Sequence, residues 1–498
     1  MKILSAAQIR QADNYTIQNE PVTSLALMKR AGEKCFEWIL SNTDKSKKYL
    51  VICGTGNNGG DGLVIARLLA QRKLGVEVVI LSTNSKYSDE FNITLEAITK
   101  TTVNVKHVKE GQKLLLKEDV IIIDAILGTG LSRPVTGWLG ECIEVLNKSG
   151  NQIISIDIPS GLFADIPSEG NIIRATYTLT FQNPKLAFFF RENELFVGKF
   201  YVLNIDLNEK FIDKINSLNF YFDKKEAKKI LKQRNKFSHK GAFGHSLLIA
   251  GSKGKIGAAI LASRACLRSG TGLLTVHIPS CGYEIIQATV PEAMVDLDVN
   301  TDIITSLNSI DHYDGIGIGP GIGKSEETTK FFFRFLDIIK SPVVVDADAI
   351  NILAEHPEKL RKLPVNSILT PHGKEFERLA GKCKNDFERH KLQLDFSREY
   401  KLIVVLKGAY TCITFPDGKS VFNSTGNPGM AKGGSGDALT GMILALISQH
   451  YYPENAALLG VYLHGLAGDI AVKRKGVYSM ICSDLIEKIP KAFLKLSD

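Results

Sequence analysis

The chain has eight cysteines, Cys35, Cys53, Cys142, Cys266, Cys281, Cys383, Cys412 and Cys482, and no two of them stand at CxxC spacing. Neither a thiolate zinc site nor a disulfide framework is indicated, and the cysteines read as reduced core residues. No leader is expected either: behind Met1, KILSAAQIRQADN interrupts its apolar residues with charges and amides too often to build a signal-peptide core. Long apolar runs are scarce. The longest windows, such as 439–447, carry glycine and threonine and fall well short of the roughly 18 residues of a membrane span. The expectation is a cytoplasmic protein without a membrane partner. Low-complexity tracts and short-period repeats are absent, which sets aside solenoids and fibres.

What is present is the composition of a globular enzyme, with 44% hydrophobic residues, 23% charged residues and 43 glycines. At 498 residues, two domains are expected rather than one core. The net charge of +8 raises the question of a nucleic-acid partner, but residues 1–216 hold 25 basic and 24 acidic side chains. Residues 224–240 alone contain eight Lys/Arg and one acid, Glu226. With no interleaved aromatics, this stretch reads as a solvated basic helix, and no nucleic acid is expected.

Short apolar runs ending at Gly, Asp or Pro recur through the first half: YLVICG, GVEVVIL, DVIIIDAI and QIISIDIP, followed by ATYTLTF and GKFYVLNID. Buried parallel strands joined by helices have this signature. The pattern lapses into a polar, charged stretch from about 208, which places a boundary near 216. It then resumes with HSLLIAG, GLLTVHIP, YDGIGIGPG, SPVVVDADA, NSILTPHG and KLIVVLKG. Two doubly wound α/β units follow, residues 1–216 and 217–498.

Gly54-Thr-Gly-Asn-Asn-Gly59 satisfies GxGxxG after a strand and invites a redox dinucleotide fold. The next strand, however, ends in Ser82-Thr83, with no acid to take a ribose hydroxyl. More telling is Asn57-Asn58-Gly59-Gly60-Asp61-Gly62, where glycines admit a ligand to the backbone while amides and a carboxylate converge at a helix N-terminus. Asp124-Ala-Ile-Leu-Gly-Thr-Gly-Leu-Ser-Arg133, Ser155-Ile-Asp157-Ile-Pro-Ser160-Gly and Thr180-Phe-Gln-Asn-Pro-Lys185 follow in order. Asp124 and Asp157 stand at strand ends, where such sheets bind ligands.

These four motifs resemble the NAD(P)H-hydrate epimerase family over nearly all of residues 1–216, which implies a Rossmann-like fold. The resemblance implies potassium at Asn58, Asp124 and Ser160. It also implies the hydrated nucleotide among Asn57, Asn58, Gly59, Gly60, Asp61, Gly128, Thr129, Gly130, Leu131, Ser132, Arg133, Pro134 and Asp157. Inversion at C6, a carbon bearing a hydroxyl and the ring nitrogen, passes through an iminium or aldehyde and needs a proton shuttle. Asp157 is the candidate acid/base and Lys185 its charge-stabilising neighbour, the bland alternative for Lys185 being a surface lysine.

In the second half, Gly319-Pro-Gly-Ile-Gly-Lys-Ser325 fails the Walker pattern because position 318 is Ile. The stronger signal is Asn427-Pro-Gly-Met-Ala-Lys-Gly-Gly-Ser-Gly436-Asp437 before the apolar LTGMILALI. Small residues bare N–H groups at a helix start, an anion hole for a moving phosphoryl group, and Asp437 is placed to take a proton. Alone, such an Asp is more often a dipole partner. With Ser238-His-Lys-Gly, Ala250-Gly-Ser, Val345-Asp-Ala-Asp-Ala, Thr370-Pro-His372-Gly-Lys-Glu375 and Lys407-Gly, the half resembles the ribokinase-like ADP- or ATP-dependent NAD(P)H-hydrate dehydratases over about 222–498.

That resemblance implies substrate contacts at Ala258, Gly321, His372 and Asp437. The nucleotide would lie at Lys407, Gly408, Ala409, Tyr410, Thr411 and Gly436, with Mg²⁺ near Glu375. Phosphorylating the 6-hydroxyl, with Asp437 as base, makes a leaving group that the ring nitrogen expels. The implied partners are NADHX or NADPHX and ADP or ATP, with ADP favoured, and the sequence admits a homo-oligomer. The rivals are a ribokinase-like small-molecule kinase fused to a ligand-binding Rossmann-like module, and a first domain that senses ligand without catalysis.

Overall fold

A computed structural model describes residues 1–82 and 87–498; the strand end read at Ser82-Thr83 falls partly outside them, at Thr83. The chain divides into two compact units, Lys2–Ser217 and Leu218–Asp498, Met1 belonging with the latter.

In the first unit the strands are β1 (Lys48–Cys53), β2 (Val76–Ser82), β3 (Asn104–Lys109), β4 (Val120–Ala125), β5 (Gln152–Ile156), β6 (Tyr177–Phe181) and β7 (Lys199–Leu203). They form one sheet in the order β3-β2-β1-β4-β5-β6-β7, every neighbouring pair parallel. Such a sheet needs cover on both faces, which is why β4 reads VIIIDA and is buried throughout. Tyr49, Val51 and Ile123 pack with Ile65 and Leu69 of the helix Asn57–Gln71. Leu50, Ile52 and Ile122 pack on the other face with Ile143 and Leu146 of the helix Gly137–Lys148. The strand order reverses between β1 and β4, so the loops leaving their C-terminal ends diverge and open a crevice. β3, NVKHVK, is an addition to the strands read from sequence; it lies at the sheet edge, where lysine and histidine face water.

The second unit holds β8 (Asn219–Phe222), β9 (His245–Ile249), β10 (Leu273–Ile278), β11 (Met294–Leu297), β12 (Gly315–Ile318), β13 (Val343–Val345), β14 (Ile368–Leu369), β15 (Ile403–Leu406), β16 (Cys412–Thr414) and β17 (Ser420–Asn423). Their order is β11-β10-β9-β12-β13-β14-β15-β16-β17-β8, and β16 alone runs antiparallel to its neighbours. The order again reverses, between β9 and β12. The apolar helix Ser435–Ser448 is buried from Ala438 to its end.

Three sequence expectations are corrected here. The polar stretch from 208 is not featureless: NFYF forms β8, which joins the sheet beside β17 because its aromatic residues fit a half-buried pleat. The basic stretch is helical only over Lys224–Ile230. Beyond it, Lys232 Nζ donates to the His450 carbonyl at 2.8 Å, and Arg234 donates to Gln449 Oε1 at 2.7 Å and to the Gly270 carbonyl. These acceptors lie just past the C-termini of Ser435–Ser448 and Ile256–Arg268, where cations complement the helix dipoles. Lastly, one helix, Pro453–Ser479, is long and apolar enough by length and composition to cross a membrane, and 72% of its apolar window is buried inside the unit. Gly460, Tyr462, His464, Gly465 and Gly468 break up its apolar run in sequence.

Candidate functional site

The first crevice is a cavity of about 650 Å³. The loop after β1 and the start of Asn57–Gln71 bring Asn57, Asn58 and Asp61 to it; the loop after β4 brings Gly128, Thr129, Gly130, Leu131, Ser132 and Arg133; Asp157 comes from the end of β5. Gly59, Gly60 and Pro134 are not in its lining, and the glycines show why. A Cβ on Gly59 would lie 2.1 Å from the Gly54 carbonyl oxygen, one on Gly60 2.6 Å from Met28 Sδ, and one on Gly62 2.6 Å from Ala125 Cβ. These glycines let the helix press onto the sheet. Only Gly56, with nothing within 4 Å of its Cβ position, leaves room at the helix start for a ligand.

Asp124, Ser160 and Asn58 converge on one piece of backbone. Asn58 Nδ2 donates to the Leu127 carbonyl at 3.0 Å, and Ser160 Oγ approaches the same carbonyl at 3.2 Å. Ser160 Oγ donates to Asp124 Oδ1 at 2.6 Å, and Asp124 Oδ2 accepts from Ser155 Oγ at 2.6 Å and from Ser160 N–H at 3.0 Å. Burial raises the Asp124 carboxyl above its ordinary range against these hydrogen bonds. One carboxylate among neutral oxygens is a donor set suited to a hard monovalent cation.

Asp157 sits in the left-handed backbone region, at φ +66°. Its Oδ1 receives Lys185 Nζ at 2.6 Å. Lys185 is no surface lysine: it is fully buried, and its ammonium also donates to Thr180 Oγ1 at 2.7 Å. Its backbone follows the β6 turn, which aims it at Asp157 rather than into the cavity, so it acts through Asp157. Asp157 Oδ2 accepts no hydrogen bond among the described residues and remains available at the cavity wall. Sequence reading missed the wall formed by the helices Ala6–Asn19 and Ser24–Asn42, which contributes Asp13, Asn14 and Met28. Asp13 carries no motif; an acid on an amphipathic helix looks like a solvated face.

In the second unit, Gly434 caps the helix Ser435–Ser448 from the left-handed region, at φ +90°. No side chain caps this end, and the N–H groups of Gly436 and Asp437 have no acceptor among the described residues. The helix start is therefore a bare anion hole. Burial, then the Asp346 carboxylate, raises the Asp437 carboxyl to about 7; Asp348 and Glu375 add to this and Lys407 opposes it.

Lys407 Nζ pairs with Asp346 Oδ1 at 3.0 Å, and Asp346 Oδ2 accepts from Thr440 Oγ1 at 2.7 Å. A Cβ on Gly436 would stand 3.1 Å from that ammonium. Lys407, Asp346, Gly436 and Asp437 thus form one cluster. Asp346 was not singled out in sequence, although an acid directly behind VVV meets the strand-end criterion that picked out Asp124.

His372 and Lys407 form a parallel bridge past the ends of β14 and β15. His372 is also a helix cap: its Nδ1 accepts from the Lys374 and Glu375 N–H groups, and Glu375 Oε2 accepts from His372 N–H at 2.8 Å. The other Glu375 oxygen lies 3.4 Å from His372 Nε2. Ala258 and Gly321 meet beyond β9 and β12, a Cβ on Gly321 falling 3.2 Å from Ala258 Cβ. Gly408, Ala409, Tyr410 and Thr411 form the turn between β15 and β16, in which Thr411 Oγ1 bonds the Gly408 carbonyl at 3.2 Å.

The family described as YjeF-related protein N-terminus matches residues 24–187, and that described as NAD(P)H-hydrate dehydratase matches residues 246–491. A bifunctional NAD(P)H-hydrate repair enzyme of Moorella thermoacetica is 33% identical over 100% of this chain and 98% of its own length. One of Escherichia coli is 32% identical over 98% of this chain and 93% of its own. Among solved structures, a ribokinase-like superfamily protein of Enterococcus faecalis shares 28% identity at a TM-score of 0.50, covering 57% of this chain and 98% of that one. The second unit is ribokinase-like and the first a Rossmann-like doubly wound domain.

Proposed function

Since the chain belongs to the bifunctional NAD(P)H-hydrate repair enzyme family along its whole length, we propose that its first unit epimerises the R and S hydrates of NADH and NADPH at C6 and its second returns the S form to NAD(P)H. The second step uses ADP or ATP and releases phosphate together with the shortened nucleotide. The observation that carries this reading is the junction at the second unit's bare helix start. There the unoccupied N–H groups of Gly436 and Asp437 adjoin a carboxyl held near neutrality.

In the second unit, Asp437 takes the 6-hydroxyl proton as that oxygen attacks the terminal phosphorus of the donor. The amides at 433–436 receive the moving phosphoryl group, and Lys407, held by Asp346, faces the donor phosphates. The ring nitrogen's lone pair then expels phosphate. The substrate lies against Ala258, Gly321 and His372, and the nucleotide against Gly408, Ala409, Tyr410, Thr411 and Gly436. Magnesium, when bound, offsets the phosphates' charge. Glu375 is the carboxylate that would hold it, with one oxygen capped by the His372 N–H and the other 3.4 Å from His372 Nε2.

In the first unit, Asp157 moves the proton of the oxygen at C6 and Lys185 fixes its carboxylate. The hydrate lies along Asn57, Asn58, Asp61 and the 128–134 loop. Potassium, when bound, supplies positive charge beside the nucleotide's phosphates; Asn58, Asp124, Ser160 and the Leu127 carbonyl fit it by their oxygens. All eight cysteines are free, which suits the reducing cytoplasm.

The test is incubation of purified protein with an R/S mixture of the hydrate, Mg²⁺ and ADP or ATP, following reduced-nicotinamide absorbance. Full recovery of both epimers is expected, with the R-dependent phase alone slowed when lithium replaces potassium. A phosphorylated product that accumulates without absorbance would favour the small-molecule kinase, and recovery of the S half only would make the first unit a non-catalytic module.

A further inference from the structure

Inversion at a carbon that loses and regains its hydroxyl on opposite faces asks for a proton donor on one side and an acceptor on the other. Asp157 supplies one. The cavity holds two further carboxylates, Asp13 from Ala6–Asn19 and Asp61 from Asn57–Gln71. Neither accepts a hydrogen bond or has an ion-pair partner within 4 Å among the described residues, although Asp61 is buried and Asp13 half-buried. A solvated helix aspartate would be turned to water. The buried cation behind the cavity wall, Lys185, is already held by Asp157, and Arg10 and Arg133 line the cavity without bonding either acid.

We propose that Asp13 is the second proton-transfer residue of this cavity, serving the face of the hydrated ring opposite Asp157. The inference rests on the epimerase reading of the first unit. In one direction, Asp13 donates a proton to the C6 hydroxyl. The C6–O bond breaks, water leaves, and the nitrogen lone pair forms the C6=N iminium. A water on the other face then bonds to C6 as its proton passes to Asp157, and the iminium electrons return to nitrogen. The reverse direction exchanges the two roles, so each turnover leaves the pair ready for the opposite epimer.

Position selects Asp13 over Asp61, and the electrostatics accord with it. Burial, and then the nearby Asp157 charge, push Asp13 up to about 6 while Lys185 pulls it back. Burial, then Asp157 and Asp13, push the Asp61 carboxyl well above its ordinary range. Asp61 is buried within its helix, whereas Asp13 stays half-open at the cavity wall, where its carboxyl can reach bound substrate.

The experiment measures R/S exchange in the full-length enzyme carrying Asp13→Asn, Asp13→Glu or Asp157→Asn, with S-hydrate dehydration and the first unit's thermal transition as controls. Asp13→Asn is expected to slow exchange at least about 100-fold at pH 7, with dehydration unchanged, the first unit's thermal transition not lowered and Asp13→Glu partly restoring the rate. Wild-type exchange should decline as pH rises above about 6, because the protonated donor is lost, and this decline should vanish in Asp13→Asn. Wild-type exchange in Asp13→Asn with loss in Asp157→Asn overturns the inference and leaves the epimerase reading standing. Wild-type exchange in both variants overturns the inference together with the Asp157 assignment, whereas no exchange above the spontaneous rate in the unmutated enzyme removes the epimerase reading itself. Slower exchange with an unaltered pH profile, no rescue by glutamate or a lowered thermal transition makes Asp13 structural and also overturns the inference.

Discussion

Replacing Asp437 by asparagine should make the second unit slower and, at alkaline pH, more stable. The carboxyl is raised from 3.8 to about 7, with burial the largest cause. The folded state therefore binds its proton more tightly than the unfolded chain does. Between about pH 4 and pH 7 the folded state holds a proton that the unfolded chain has released, so stability falls as pH rises through this window. Three pKa units correspond to about 4 kcal/mol as an upper bound. Asp437 retains some solvent contact, which screens this to about 1–2 kcal/mol.

Asparagine carries no charge to desolvate, so the variant should exceed wild type by about 1–2 kcal/mol at pH 8 and match it near pH 4. It cannot act as a base, and loss of a general base costs about 100- to 10,000-fold in rate, or about 2.7–5.4 kcal/mol of barrier. The assays are S-hydrate turnover with ADP and Mg²⁺, and denaturant unfolding of the second unit at both pH values. Nucleotide binding should persist, since amides and Lys407 provide it. Near-normal turnover would refute the base assignment. A variant less stable at both pH values would show that Asp437 serves the helix dipole instead.

Three further outcomes follow from the geometry. Asp157→Asn should leave S-hydrate turnover intact and reduce R-hydrate consumption to its spontaneous rate, as read by epimer-resolved chromatography. Lys185→Met should destabilise the first unit by about 3 kcal/mol, because it leaves the Asp157 carboxylate without its cation; unfolding monitored in each unit should show the second transition unmoved. Cleavage between Ser217 and Leu218 should yield two pieces that each show a cooperative transition by circular dichroism. A cut after Phe222, by contrast, removes β8 from its sheet and should lower the second piece's midpoint.

Most of the first site was legible because it is built from strand ends. Motifs that follow an apolar run have only one place to go in a doubly wound sheet; Asp124 and Asp157 were read by that rule, while Asn58 and Ser160 came from the family resemblance. The same rule covers Asp346, since SPVVVDADA was read as a strand, yet this acid entered only as part of a motif and was given no role. Asp13 was invisible for another reason. Which face of a helix becomes a cavity wall is decided by tertiary packing, and nothing local distinguishes it from a solvated face. The burial of Lys185 likewise depends on a carboxylate 28 residues earlier in the chain. Glycine was legible as a motif but not in its role, since Gly59, Gly60 and Gly62 answer to neighbours in β1, β4 and Ser24–Asn42 or their adjoining loops rather than to a ligand. The short strands β8, β16 and β17 escaped notice because their pairing gives them order that three or four residues cannot signal alone.

The backbone of Asp157 has a bearing on how related chains can be interpreted. At φ +66° most side chains strain against the preceding carbonyl by about 1–2 kcal/mol, while aspartate, asparagine and glycine are tolerated. The turn thus filters which replacements drift can accept. A homologue bearing asparagine or glycine here would keep this loop's path yet lack its proton carrier, the mark of a fold retained after the chemistry is gone. A valine or isoleucine would instead signal that the turn itself has been rebuilt, and with it the floor of the cavity.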